Sequence, residues 1–164
     1  FGARVVSPRG FEDNILLDVG LGELRAKGAI LRLRLYAGTS TLTYKEPSGG
    51  LENFKVRREI ESAVSDPVAL LEILQAAGFR RIWRYVKYRT VLAVGEVAVL
   101  VDETPVGNFL EIEGPPDGIA ALARRLGRGP ADYITATYRA LYEQWCAVRG
   151  IEVADMVFGP GSAH

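Results

Sequence analysis

Charge at every second residue is the feature of this chain that most restricts its fold. In Phe54-Lys55-Val56-Arg57-Arg58-Glu59-Ile60-Glu61, Lys55, Arg57, Glu59 and Glu61 share one face of an extended strand, with Phe54, Val56 and Ile60 on the other, because successive strand side chains point to opposite faces. The pattern recurs at Leu31-Arg32-Leu33-Arg34-Leu35, Thr41-Leu42-Thr43-Tyr44-Lys45, Tyr85-Val86-Lys87-Tyr88-Arg89 and Phe109-Leu110-Glu111-Ile112-Glu113. An antiparallel sheet with one dry and one wet face explains most alternating strands. A merely solvated face, however, does not call for Glu-x-Glu on one strand with Arg-x-Arg and Lys-x-Arg on others. Joined in one sheet, these faces set Arg and Lys beside carboxylates, a surface suited to a polyphosphate together with its divalent metal.

The 164 residues and their 48% hydrophobic content fit a single domain with a real core, read as 1–164 with a loose tail over 151–164. Lys+Arg 20 against Asp+Glu 20 leaves no basic field of the kind nucleic-acid binding needs, so no nucleic-acid partner is expected. No apolar run approaches a membrane span and no signal-peptide pattern opens the chain, so no membrane partner is expected either. A single cysteine, Cys146, rules out an internal disulfide and fits a reducing cytoplasm. The first residue is Phe1 rather than Met, and the expectation is that sequence upstream is missing.

Seven segments read as strands: Phe11 to Asp18, Ala29 to Tyr36, Ser40 to Glu46, Asn53 to Glu61, Ile82 to Thr90, Glu96 to Asp102 and Asn108 to Glu113. The short turns between them imply antiparallel pairing. The loop Glu46-Pro47-Ser48-Gly49-Gly50-Leu51-Glu52 reads either as a mobile lid beside the charged face or as a plain hairpin loop. Asp66-Pro67 predicts a capped amphipathic helix ending at Gly78, Asp117 a short helix to Gly127, and a longer helix is expected from about Ala131 to Arg149. Its Tyr138, Leu141, Trp145 and Val148 read as a stripe packed on the sheet, and Cys146 as a structural residue.

Several chemistries are excluded. The single histidine, His164, sits at the end of the chain, so Ser-His-Asp, Cys-His and His/Cys zinc arrangements have no base or ligand set. Neither a Gly-x-x-x-x-Gly-Lys-Ser/Thr loop nor a Gly-x-Gly-x-x-Gly turn occurs. What remains is oxygen ligands for a hard cation and fixed cations for anionic oxygens.

The order of these pieces resembles the CYTH family, the triphosphate tunnel metalloenzymes, which groups class IV adenylate cyclases with thiamine triphosphatases. The matching residues are Arg32 and Arg34, Lys45 in Leu-Thr-Tyr-Lys, Arg57 with Glu59 and Glu61, Lys87 with Arg89, Asp102, and Glu111 with Glu113. The resemblance covers roughly residues 3–145. It implies an α+β fold: a closed or nearly closed eight-stranded antiparallel barrel with a charged lumen and helices packed outside. The family's opening Glu-x-Glu-x-Lys strand does not occur here; its simplest place is before Phe1.

Carried over residue by residue, the resemblance makes Arg32, Arg34, Lys45, Arg57, Lys87 and Arg89 phosphate ligands. Glu59, Glu61 and Asp102 become the catalytic carboxylates, and Glu111, Glu113, Asp102 and Glu61 the ligands of Mg²⁺ or Mn²⁺. The activity implied is metal-dependent hydrolysis of thiamine triphosphate, inorganic triphosphate or a nucleoside triphosphate. Two alternatives are a class IV adenylate cyclase forming cyclic AMP, and a module that binds polyphosphate or nucleotide without turnover. The expected partner is a triphosphate-containing small molecule, with a homodimer left open.

Overall fold

A computed structural model describes residues 2–49 and 56–159. Phe54, Lys55, the distal half of the suspected lid loop and His164 lie outside the described residues. Seven strands appear, each overlapping an expected one: β1 (Arg4–Val19), β2 (Ile30–Tyr36), β3 (Thr39–Pro47), β4 (Arg57–Val64), β5 (Phe79–Val94), β6 (Val97–Thr104) and β7 (Gly107–Glu113). They form one antiparallel sheet in the order β4-β3-β2-β1-β5-β6-β7.

Of the expected closed or nearly closed eight-stranded antiparallel barrel, the antiparallel sheet is present and closure is not. Among the described residues there are seven strands, and β4 pairs only with β3 while β7 pairs only with β6. Closure needs strand number, tilt and stagger to bring two edges into register; here the edges β4 and β7 are not hydrogen-bonded to each other.

The register carries the alternation across the sheet. Glu12 stands opposite both Tyr36 and Lys87, Asn14 opposite Arg34 and Tyr85, and Leu16 opposite Arg32 and Trp83. Farther out, Arg32 faces Thr43, which faces Glu61, while Arg89 faces Asp102. Directly opposed residues lie on the same face, so one face gathers the charges. Irregularities between Val5 and Gly10 bring Gly10 opposite Arg89. A Cβ there would lie 3.0 Å from the Tyr36 ring, so the glycine lets Tyr36 pack closely over this end of the sheet.

Two helices sandwich this sheet. Helix α3 (Pro116–Arg125) packs Leu122 and Ile119 on Val94, Val97, Val99 and Ile112, the face opposite Arg89 and Asp102 by the register. Its cap is Pro115 rather than Asp117, which lies in the first turn. Helix α4 (Tyr138–Arg149) sits on the charged face instead: Tyr142, Cys146, Tyr138 and Trp145 pack with Trp83, Tyr85 and Met156. Cys146 is buried there. Val148, expected in the stripe, is exposed.

Helix α4 begins at Tyr138, not Ala131, because Pro130–Asp132 forms a 3₁₀ turn and Thr137 caps the helix, its Oγ1 accepting from Ala140 N at 3.2 Å. Helix α2 (Pro67–Ala76) forms where expected. Asp66 accepts from Val68 N and Ala69 N, yet the helix buries none of its residues. A single turn, α1 (Glu23–Ala26), follows β1. No helix among the described residues is long and apolar enough to cross a membrane.

The expected loose tail is corrected at 154–156. β6 pairs with β5 only over Tyr88 to Val94, leaving the first half of that β5 edge open. Met156 fills it, donating N–H to Arg84 O and accepting from Val86 N, both at 3.0 Å, with its side chain fully buried. Trp83 Nε1 donates to Ala154 O at 3.0 Å.

Candidate active site

A cavity of about 2060 Å³ is lined by residues of the charged face and by others from α3, α4 and the segment joining those helices. All six expected cations line it: Arg32 and Arg34 from β2, Lys45 from β3, Arg57 from β4, and Lys87 and Arg89 from β5. Glu59, Glu61, Glu111 and Glu113 line it too. Asp102 does not; it is fully buried.

The deep part of the site is an ionic network. Lys87 is 1% and Arg89 6% exposed, and cations so buried need partners. Arg89 grips Asp102 with both arms of its fork, Nε to Oδ1 and Nη2 to Oδ2 at 2.6 Å each, and reaches Glu111 Oε2 at 2.7 Å. Lys87 Nζ donates to Asp102 Oδ2 at 2.7 Å. Tyr138 Oη donates to the same oxygen at 2.6 Å, and Lys87 Nζ lies 4.8 Å from the Tyr138 ring centre.

These contacts set the protonation states. Burial alone would raise the Asp102 carboxyl, but hydrogen bonds and charge from Arg89 and Lys87 hold it below the ordinary aspartate range. Burial and the neighbouring Glu111 and Asp102 raise the Tyr138 phenol, which therefore stays a donor. Arg89, despite burial, is raised by Asp102, Glu12 and Glu111.

The shallower part belongs to β2, β3 and β4. Glu61 accepts from Thr43 Oγ1 at 2.7 Å and lies 3.7 Å from Arg34. Lys45 donates to Glu59 at 2.6 Å. Arg57 donates to the Gly28 carbonyl at 3.3 Å. Glu61 on one edge strand and Glu111 on the other are thus held by different groups, and Glu113 is exposed with no partner among the described residues. No three His, Cys, Asp or Glu side chains of the described residues stand close enough to share a metal ion.

Three participants were absent from the expected set. Glu12 and Asn14 are completely buried on the charged face of β1. Glu12 Oε1 lies 3.4 Å from Lys87 Nζ and Oε2 lies 3.8 Å from Arg89 Nη1. Burial would raise the Glu12 carboxyl, but Lys87, Arg89, Asn14 and Arg32 together hold it low. The same two-residue alternation carries the signal, obscured because Asp13 next door is equally acidic; Asp13 points to the other face and pairs with Arg84 at 2.8 Å. Tyr138, the third, reads as core from helical spacing alone.

Rows of Arg, Lys and carboxylates from separate strands of one antiparallel sheet thus line a single cavity. Residues 9–138 match the CYTH domain, and the chain belongs to the CYTH family. Among solved structures it is similar to a candidate adenylate cyclase from Vibrio parahaemolyticus, at TM-score 0.70 and 20% identity over 84% of this chain and 83% of that one. It is also similar to a Pyrococcus horikoshii protein, at TM-score 0.70 and 24% identity over 84% of each chain. A third is a candidate adenylyl cyclase from Hippeastrum with a dominant triphosphatase activity, at TM-score 0.57 and 15% identity over 88% and 84%. No curated protein matches the chain.

Proposed function

We propose that the cavity binds a small-molecule triphosphate and hydrolyses its terminal phosphate. The observation that carries this reading is that Arg32, Arg34, Lys45, Arg57, Lys87 and Arg89, from four strands, all line one cavity. Phosphoryl transfer asks of a protein mainly positioning and charge neutralisation, which such an array supplies without a covalent nucleophile. In this reading the forks of Arg32, Arg34 and Arg57 offer phosphate oxygens directional bonds, while Arg89, whose fork holds Asp102, and the two Lys act by charge.

Carboxylates stand among these cations: Glu12, Glu59, Glu61, Glu111 and Glu113 line the same cavity, and Asp102 is buried beside it. Mg²⁺ is commonly held by one or two protein carboxylates plus substrate phosphates, and Glu113, exposed and unpartnered, with Glu111 two residues before it on β7, fits that arrangement. Mn²⁺ suits the same oxygens. Bound there, the metal would neutralise phosphate charge. Asp102 and Glu61, each engaged by cations and a hydroxyl, serve in this reading to aim Lys87, Arg89 and Arg34, and Glu59 to aim Lys45.

A cyclase reading keeps the same site and is favoured by the description of the Vibrio relative; the triphosphatase activity of the Hippeastrum relative favours hydrolysis. Release of phosphate and of cyclic nucleotide from tripolyphosphate, thiamine triphosphate and ATP, with and without Mg²⁺ or Mn²⁺, tests both. Metal-dependent phosphate release is expected. Tight binding with neither product would leave a non-catalytic binding module.

A further inference from the structure

Four cations line the cavity besides the six on the strands: Arg25, Arg80, Arg128 and Arg139. Two of them, from different elements, converge on one carboxylate. Arg139, in the first turn of α4, donates through Nε to Glu143 Oε1 at 2.6 Å, and Nη2 of Arg25, on α1, lies 3.9 Å from the same oxygen. Glu143 lines the cavity too.

A charge pair at i and i+4 commonly does no more than steady its own helix. That leaves Arg25 unexplained, since it comes from another element. It also leaves most of the Arg139 fork unused: among the described residues only Nε is bonded, so four of its five N–H donors remain, with the guanidinium 5.1 Å from the Trp83 ring centre.

The register sets this pair beside the strand cations. Leu16 stands opposite Trp83 on one side and Arg32 on the other. With neighbouring strands about 4.8 Å apart, the Arg32 backbone is about 10 Å across the sheet from that of Trp83, whose ring lies under Arg139. On the other flank Asp18 accepts from Arg25 N at 3.0 Å and is paired in register with Arg80, which has no partner among the described residues.

Two guanidiniums around one anionic oxygen are what a phosphate oxygen requires. We propose that Arg25 and Arg139 form an anion subsite at the α1–α4 end of the cavity, that it takes a phosphate group of the triphosphate ligand, and that Glu143 occupies it as an internal competitor. This rests on the triphosphate-binding reading above. Binding exchanges one ion pair for another: the phosphate takes the free donors of Arg139 and the charge of Arg25, and Glu143, already 35% exposed along its side chain, turns to solvent. A terminal phosphate brings three acceptor oxygens to a carboxylate's two.

The test is calorimetric titration of tripolyphosphate, with Mg²⁺, into the whole chain. Arg139→Ala is expected to weaken binding by roughly tenfold or more. Glu143→Gln keeps the side-chain shape and removes the competitor, and is expected to tighten binding about two- to fivefold, the scale of a partly exposed ion pair. A purely structural Glu143 gives no such gain. Glu72→Gln alters the net charge equally from an exposed position on α2 outside the cavity and is expected to leave the affinity unchanged. Unchanged or weaker binding by Glu143→Gln, an equal gain in Glu72→Gln, or unchanged binding by a folded Arg139→Ala overturns the subsite. Should Arg139→Ala not fold, Arg25→Ala, at a side chain 73% exposed, takes its place: weaker binding is expected, and unchanged binding overturns the subsite. A wild type that binds no tripolyphosphate fails the triphosphate reading itself, and the subsite with it, whereas a wild type that binds it, with variants that bind it equally, fails the subsite alone.

Discussion

Asp102 is the residue on which the deep cations depend. It takes two bonds from Arg89, one from Lys87 and one from Tyr138, all inside the protein. Replacing it by Asn turns an NH₂ toward donors and leaves two buried cations short of charge. Asp102→Asn is expected to destabilise the fold by roughly 3–5 kcal/mol, the scale of a broken buried pair, read as a lowered urea midpoint at unchanged slope. A midpoint equal to wild type would mean that the network relaxes into solvent. Tyr138→Phe removes one donor to a charged acceptor and is expected to cost roughly 1.5–3 kcal/mol by the same measurement. At this scale the sequence was informative where alternation met a single charge type, as at Lys87 and Arg89. It was blind at Glu12-Asp13, where both parities carry acid and only the register with β5 decides which one enters the cavity.

At the scale of elements, α4 is the piece whose placement matters most, since it sits on the charged face and brings Tyr138 to Asp102. Its start is set by the Thr137 cap, and Thr137→Ala is expected to cost about 0.5–2 kcal/mol; no loss of stability would mean that packing of Trp83, Tyr85 and Tyr142 alone sets the helix. The turn α1 is held by Asp18, which accepts from the N–H groups of Val19, Leu24 and Arg25 at 2.7, 2.9 and 3.0 Å. Burial would raise the Asp18 carboxyl, but these bonds and the Arg25 charge hold it below the ordinary value. The unfolded chain therefore binds this proton more readily. The Asp18 contribution is present above an unfolded pKa of about 3.9 and fades as pH falls through the lower folded value. Asp18→Asn is expected to lower stability by about 1 kcal/mol at neutral pH, with the difference shrinking as pH falls below the unfolded pKa of about 3.9; a difference independent of pH would contradict the assignment. All seven strands were legible because a period of two survives local context. The loose reading at 154–156 and the early start of α4 failed for another reason. Met156 is ordered by a β5 edge that β6 leaves open, a tertiary fact, and 130–137 is kept from helix by a 3₁₀ turn at Pro130 and the Thr137 cap.

For the molecule as a whole, the claim is that rows of charge from separate strands act as one multidentate site. The chain is neutral overall, with Lys+Arg 20 and Asp+Glu 20, so a general basic field cannot draw polyanions in; recognition has to come from geometry. A ligand bound only by the folded state also stabilises it, by about 2.7 kcal/mol at a hundredfold excess over Kd, so tripolyphosphate with Mg²⁺ is expected to raise the Tm and orthophosphate to leave it nearly unchanged. The most direct measurement is calorimetric titration of tripolyphosphate and orthophosphate, in the presence of Mg²⁺, into wild type and Arg57→Lys. Tripolyphosphate is predicted to bind far more tightly than orthophosphate, and Arg57→Lys, which keeps the charge but loses the fork, to weaken it by roughly tenfold to a hundredfold, the worth of one charge-assisted hydrogen bond of about 1.5–3 kcal/mol. Equal affinities for the two anions, or for the two proteins, would contradict a multidentate triphosphate site on this face.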